Sequence, residues 1–303
     1  MGKEQDIYLR LTGKMLEMLE QCKADDFTMP FLPNIEAPHN PFTGTVYKGV
    51  KRLILMLDGQ GIYGTFNNWR KVGAKIKKNA KGIHPVAFRM VKTKDSTEDK
   101  PEYFPMYKYC HPVFGVNQVT GYDAPKRETP DPVQTVRNAD EWITASGAKI
   151  EHTSRGVACY KRSDDSIEIP HQDLFQATPT STVTESYYSV VCHELAHWTG
   201  APSRLDRTKG KMFGDQNYAI EELVAEMSAS FQCSILGISQ SPRTDHAQYI
   251  KSWIRAIKED DTNKLVAKVA QQAQRVVDHL SGYQSDKLLK KLNLYIEKTA
   301  VAV

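Results

Sequence analysis

Cysteine is scarce in this 303-residue chain, and its five copies (Cys22, Cys110, Cys159, Cys192 and Cys233) are scattered and never spaced Cys-x-x-Cys. An odd, scattered set argues against a cysteine-built zinc finger or a disulfide framework and fits a reducing cytoplasm. Most of these thiols are expected in the core. No apolar run approaches the roughly 20 residues that span a bilayer, and the first six residues carry no apolar signal core. Asp6 stands where a myristoylation signal wants Ser or Thr. No membrane partner is expected. Internal repeats and low-complexity segments are also missing.

Acid is missing too, but only locally. Residues 1–125 hold 18 Lys/Arg against 13 Asp/Glu, and residues 126–303 hold 22 against 23. From Gly59 to Lys94 there is no acid at all, while nine bases occur, among them Arg70, Lys71, Lys75, Lys77, Lys78 and Lys81. Tyr63, Phe66, Trp69 and Phe88 are interleaved with them. Bases that track phosphates, with aromatics that stack on bases, are what single-stranded nucleic acid requires. The plainer alternative is a solvated basic face over core aromatics. Trp69 and Phe66 are expected as core anchors first and stacking platforms second, with Trp69 kept among the candidate DNA contacts. The bases from Lys75 to Lys81 are the main candidates for phosphate contact.

The length suits two domains, and 40% hydrophobic with 25% charged residues is ordinary for a soluble globular protein. Helices are expected over 5–22 and 66–72, and a short strand or helix over 52–57. Strands are expected over 83–91 and 106–116. The three prolines and the charges of 121–132 mark the break between modules. Beyond it the pattern predicts a helix over 133–145 and a strand pair over 157–160 and 166–169. Further helices are expected near 245–258, 263–281 and 284–297. The fold class is α+β: a small N-terminal α+β domain over 1–124, a linker over 125–132, and a mostly helical domain over 133–303.

The second module holds the chemistry. Val191 to Gly200 contains His193-Glu194-Leu195-Ala196-His197. On a helix, residues four apart lie one turn above each other, so both imidazoles project from one face and can share a zinc ion. Glu194 sits beside them as the candidate catalytic base for water. Chance occurrence on a surface helix is the bland alternative, but Tyr187, Tyr188, Val190, Val191, Leu195 and Ala196 crowd the histidines. Apolar surroundings make unsatisfied polar groups costly, and a metal would satisfy them. A catalytic zinc normally takes a third protein ligand.

The candidates for that ligand lie in Tyr218 to Glu226, a strongly helical stretch. Glu222-x-x-Ala225-Glu226 resembles the glutamate-helix signature of gluzincins, which implies Glu222 on the metal and Glu226 bracing a ligand imidazole from outside. Glu221 is the runner-up ligand, about 100° around the helix. A solvated acidic face is the alternative for all three. Tyr188 and Tyr218 are candidate donors to an oxyanion; a packed aromatic with its hydroxyl bonded elsewhere is the alternative for each. Zn²⁺ is the expected ion, although such a site also takes Mn²⁺, Co²⁺ or Ni²⁺.

Taken together, these segments resemble the ArdC-type antirestriction proteins of plasmids and phages. The resemblance runs from about residue 5 to 282. It rests on Asn40-Pro41-Phe42-Thr43-Gly44-Thr45-Val46-Tyr47-Lys48-Gly49, on Thr65 to Ala74 with Lys77-Lys78, on Pro112 to Gln118, on the metal segment with Trp198-Thr199-Gly200, on Ser203-Arg204-Leu205, on Phe213-Gly214-Asp215 and on Tyr218 to Glu226. It implies an N-terminal single-stranded-DNA-binding domain and a C-terminal metallopeptidase-like domain, protecting incoming DNA from restriction in the cytoplasm of a bacterial host. The family's basic stretch usually reads Lys-Lys-Gly-Glu-Lys-Gly, whereas here Lys77-Lys78-Asn79-Ala80-Lys81-Gly82 is more cationic and lacks a glycine that bears on the turn. Lys51 replaces an Asn common in the family. Two function classes stay open: a strand-coating protein, and a DNA-dependent zinc peptidase that cuts a protein substrate near DNA. An intact Glu194 favours the peptidase; strand coating is expected as the main antirestriction activity.

Overall fold

The structure is a computed structural model, and it describes residues 3–21, 37–92, 103–124, 132–177, 181–207, 216–238, 246–261 and 263–292. Along the chain, α1 (Lys3–Gln21) is followed by a short pair, β1 (His39–Asn40) and β2 (Thr45–Val46), then α2 (Gly49–Met56). Next come β3 (Tyr63–Thr65), α3 (Phe66–Lys71) and β4 (Lys75–Ile76). A hairpin-like pair, β5 (Val86–Lys92) and β6 (Tyr103–Tyr109), precedes β7 (Val113–Gly115) and β8 (Val119–Thr120). β7 returns antiparallel to β3, and β8 to β4, which closes the basic segment onto 113–120. The stretch 52–57, open between strand and helix, is helical, because Val50, Leu53 and Met56/Leu57 recur at three and four residues and bury one face.

The second half opens with α4 (Pro132–Ala145), whose proline occupies the first helical position, where no backbone N–H is needed. A three-stranded sheet follows, in the order β10 (Cys159–Lys161), β11 (Ser166–Pro170), β9 (Lys149–Thr153). The pair β10–β11 is antiparallel as expected; β9, unforeseen in the sequence, runs parallel to β11. Five helices complete it: α5 (Val183–Trp198), α6 (Gln216–Leu236), α7 (His246–Lys258), α8 (Leu265–Ser281) and α9 (Asp286–Lys291). The α+β expectation is met. Residues 125–131 of the expected linker, and Phe213-Gly214-Asp215, lie outside the described residues.

The main core runs across the expected module boundary. Tyr8, Leu11, Met15 and Leu19 of α1 and Val50, Leu53 and Met56 of α2 share one buried cluster with α5, α6, α7 and α8. Polar contacts follow the same seam. Thr12 donates to the Asn263 carbonyl (2.9 Å), and the backbone N–H of Gly49 to Gln274 Oε1 (2.9 Å). Arg52 sends Nε to the Tyr47 carbonyl (3.0 Å) and lies over the Phe231 ring of α6. At the centre, Gln232 joins three helices, accepting from Trp142 Nε1 (3.1 Å) and donating to the Cys192 carbonyl (3.0 Å).

Candidate metal centre

α5 begins where the sequence provides a reciprocal cap. Thr182 Oγ1 accepts from the Glu185 N–H (3.2 Å), while Glu185 Oε2 accepts from the Thr182 N–H (2.9 Å). Three turns later the helix carries His193, Glu194 and His197 in full burial. α6 is buried almost all round, so Glu221, Glu222 and Glu226 are interior carboxylates. A solvated acidic face is thereby excluded, and each acid needs a partner.

The partners are the two histidines. His193 Nδ1 donates to Glu226 Oε2 (3.0 Å), and His197 Nδ1 donates to Glu221 Oε1 (3.2 Å). A carboxylate only accepts, so these bonds place a hydrogen on each Nδ1 and make each Nε2 the atom that a metal would take, once any proton on it is released. The two Nε2 atoms lie 3.1 Å apart, and Glu222 reaches them at 3.5 and 3.3 Å. A tetrahedral ion with ligand bonds of roughly 2.0–2.1 Å needs donor separations of about 3.3 Å. His193, His197 and Glu222 thus meet the spacing of a divalent-metal site. Glu226 braces His193, as its place in the motif implied. Glu221, the runner-up ligand, braces His197 from outside.

Arg207 is the participant that sequence reasoning missed. Its Nε and Nη2 grip Glu221 at 3.1 and 2.9 Å, and its Nη1 donates to Thr199 Oγ1 (2.8 Å). The chain returns after α5 through a turn at 199–207, which brings this guanidinium under the glutamate. Charge follows geometry. Burial disfavours the charge on Glu221, but His197 and Arg207 outweigh it and hold the carboxyl at about 2. Burial likewise opposes the His197 cation, yet Glu222 and Glu221 raise its pKa to about 9. Glu222, buried between both histidines, is held far below the usual carboxylate range.

Glu194 is buried on the same helix, and its charge is felt on β10. Burial pushes the Cys159 thiol pKa up, and Glu194 and then Glu168 push it further. Among the described residues β10 has a neighbour on one edge only. Tyr188, a candidate oxyanion donor, spends its hydroxyl on Asp140 Oδ1 (2.6 Å), and burial with that carboxylate raises its pKa. It takes the packed-aromatic alternative. Tyr218, half-buried, stands one turn before Glu222 on the same helix face.

Of the candidate DNA contacts, Arg70, Lys71, Lys75, Lys77, Lys78 and Lys81 are all exposed. Trp69 does not join them. It is 0% exposed, edge-on to Phe42 and Tyr122 at 4.9 and 5.0 Å, and donates to the Phe114 carbonyl (3.0 Å). With no ring face in solvent it cannot stack on a base, so it is a core anchor and not a DNA contact. Phe66 reverses the other way: expected in the core, it is 54% exposed at the start of α3, one turn from Arg70.

The basic loop itself is held by Gln118, which accepts from the Gly115 N–H (3.0 Å) and donates to the Lys81 carbonyl (2.9 Å). Lys77 Nζ adds a bond to the Asn117 carbonyl (2.8 Å). Asn79 sits where the family has glycine, with φ +65°; Asn is among the residues that tolerate this left-handed region best. The turn survives the substitution.

Comparisons with known proteins cover the chain in two parts. A family model of the N-terminal domain of anti-restriction factor ArdC matches residues 5–114, and one of zincin-like metallopeptidases matches residues 137–272. An uncharacterized protein of Sinorhizobium fredii is 30% identical over 297 residues, covering 93% of each chain. The DNA primase TraC of Escherichia coli is 30% identical over 295 residues, 89% of this chain but only 27% of the primase. Two crystal structures of a plasmid's antirestriction ArdC protein share the fold. The metal-free form has TM-score 0.69 and 27% identity, covering 92% of this chain and 97% of that one. The Mn(II)-bound form has TM-score 0.68 and 26% identity, covering 93% and 99%.

Proposed function

The chain belongs to the ArdC-type antirestriction family, pairing an ArdC N-terminal domain with a zincin-like metallopeptidase domain, and from that premise we propose that it coats single-stranded DNA entering a bacterial cell and so shields it from restriction. The observation that carries this reading is the exposure of six bases on an acid-free segment, flanked by the exposed ring of Phe66. Cations of this kind track phosphates without regard to sequence, and an exposed aromatic adds base stacking. The test is affinity for short single strands as a function of salt. Binding falls steeply as salt rises, and Lys75→Ala with Lys78→Ala weakens it and flattens the slope; unchanged binding in that double variant refutes the assignment.

A second reading rests on Glu194. A purely structural ion needs no base beside it, and a buried carboxylate next to His193 supports peptide hydrolysis. Two imidazoles and a carboxylate suit Zn²⁺, held by His193, His197 and Glu222; when bound it supplies a Lewis acid that polarises a carbonyl and lowers the pKa of water. Glu194 takes a proton from water on its carboxylate and passes it to the leaving amine. An extended peptide can pair with the edge of β10 that has no neighbour among the described residues, beside Glu194. Glu194→Gln retains metal and abolishes cleavage of a protein held near DNA; equal turnover in this variant removes Glu194 from the reaction. The four described cysteines are free, and no described helix is long and apolar enough to cross a membrane, which supports a cytoplasmic site of action.

A further inference from the structure

A cleft of about 280 Å³ lies between α1, the end of α2 and the loop that closes the basic segment, well apart in sequence from the metal cluster. Its size is just below the roughly 300–1,000 Å³ of most ligand pockets, so it holds one small molecule and not a polymer. Three features of its wall restrict what that molecule is.

The mouth carries Arg10 and Lys14, one turn apart on α1, and Lys81 from the opposite side; all three are exposed. None of them pairs with an acid among the described residues, so together they suit a ligand with negative charge. Leu57, Ile83 and Tyr109 give the wall apolar surface, and His84 packs edge-on to the Tyr109 ring at 5.8 Å. That suits a planar apolar body. Asp58 is the one acid in the wall. Its Oδ2 accepts from Gln60 Nε2 (2.9 Å) and the Tyr63 hydroxyl (3.0 Å), while Oδ1 has no bond among the described residues. A carboxylate oxygen only accepts, so Oδ1 suits an N–H donor on a ligand.

An anion with a flat body and an N–H edge is a nucleotide whose base bears an exocyclic amine. We infer that this cleft binds one such deoxynucleotide, its base inside against Tyr109 and Asp58 and its phosphate on Arg10, Lys14 and Lys81. Cytosine, adenine and guanine offer the amine; thymine flanks its single N–H with two carbonyl oxygens that the carboxylate repels. Lys81 ends the basic loop, so a strand tracked by Lys75 and Lys78 arrives at this mouth. The cleft as a reader of one base within a strand rests on the single-strand reading above; as a nucleotide site it does not.

The test uses the full chain and two kinds of probe, free deoxycytidine or thymidine monophosphate, and short oligothymidylates with or without one central cytidine. The cytidine nucleotide binds at least about fivefold tighter than the thymidine one, and the central cytidine raises strand affinity similarly. Ile54→Trp, which fills the cleft, abolishes both preferences. So does the pair Arg10→Glu and Lys14→Glu, whose exposed sites keep the fold intact. If strands bind with a steep salt slope but ignore base identity and both variants, the cleft inference falls and the single-strand reading stands. If the free cytidine nucleotide binds and is lost in both variants while no strand binds, the cleft stands and the strand reading falls. Indifference of both probe types to the variants overturns the inference.

Discussion

Arg207 grips Glu221 with Nε at 3.1 Å and Nη2 at 2.9 Å, both side chains 5% exposed, and Glu221 in turn holds Nδ1 of His197 at 3.2 Å. The arginine therefore orients a candidate metal ligand without bonding to His193, His197 or Glu222. Outer partners of this kind are worth about 10–100-fold in metal affinity. Glu221→Gln and Glu226→Gln are each expected to weaken metal binding by that order in a chelator competition, while His193→Ala loses the ion altogether. Arg207→Ala adds a stability loss of about 1–3 kcal/mol, because it leaves the buried Glu221 carboxylate with the His197 ring as its partner.

Metal uptake is expected to be coupled to proton release. In the metal-free chain Glu222 and Glu221 overcome burial and raise His197 to about 9, so at neutral pH its ring holds two protons. A metal requires the neutral imidazole. The sign follows: apparent affinity rises with pH, about tenfold per unit, until the pH passes about 9. Titration calorimetry in buffers of different ionisation enthalpy measures the released proton, and a pH-independent affinity contradicts the assignment.

Asn79 tests the loop. Its φ of +65° admits glycine freely but strains a β-branched side chain. Asn79→Gly is expected to be near neutral in thermal unfolding. Asn79→Val destabilises by about 1–2 kcal/mol and weakens strand binding as the lysines on either side lose their common presentation.

Trp69 and Phe66 separate packing from recognition. Trp69→Ala removes a fully buried indole and its bond to Phe114, at about 3–5 kcal/mol of stability. Phe66→Ala changes unfolding by no more than about 0.5 kcal/mol. The same change weakens single-strand affinity by about 1–3 kcal/mol if its ring stacks on a base. Denaturant midpoints and strand titrations on the two variants give opposite rankings.

The residues that converge on the metal cluster were legible because their geometry is local. A spacing of four on α5 sets both imidazoles on one face whatever the rest of the chain does, and the spacing of Glu222 and Glu226 on α6 obeys the same rule. The long helices were legible for the same reason. Strand β9 was not: Lys149-Ile150-Glu151-His152-Thr153 alternates poorly, and it forms by pairing in parallel with partners seventeen residues away. The faces of α3 were also hidden, since six residues are too few for periodicity to say which of two aromatics turns inward.

By itself, then, the sequence determined the long helices, the acid-free basic segment and the one-turn spacings of His193 with His197 and of Glu222 with Glu226, all properties of neighbours along the chain. Only the tertiary structure decided that Glu221 braces His197, that Arg207 stands behind it, that Trp69 is core while Phe66 meets solvent, and that Arg10, Asp58 and Lys81 share one cleft. Those outcomes depend on which distant segments pack together. A buried charge must find its partner across that packing, because burial without one is too costly to persist.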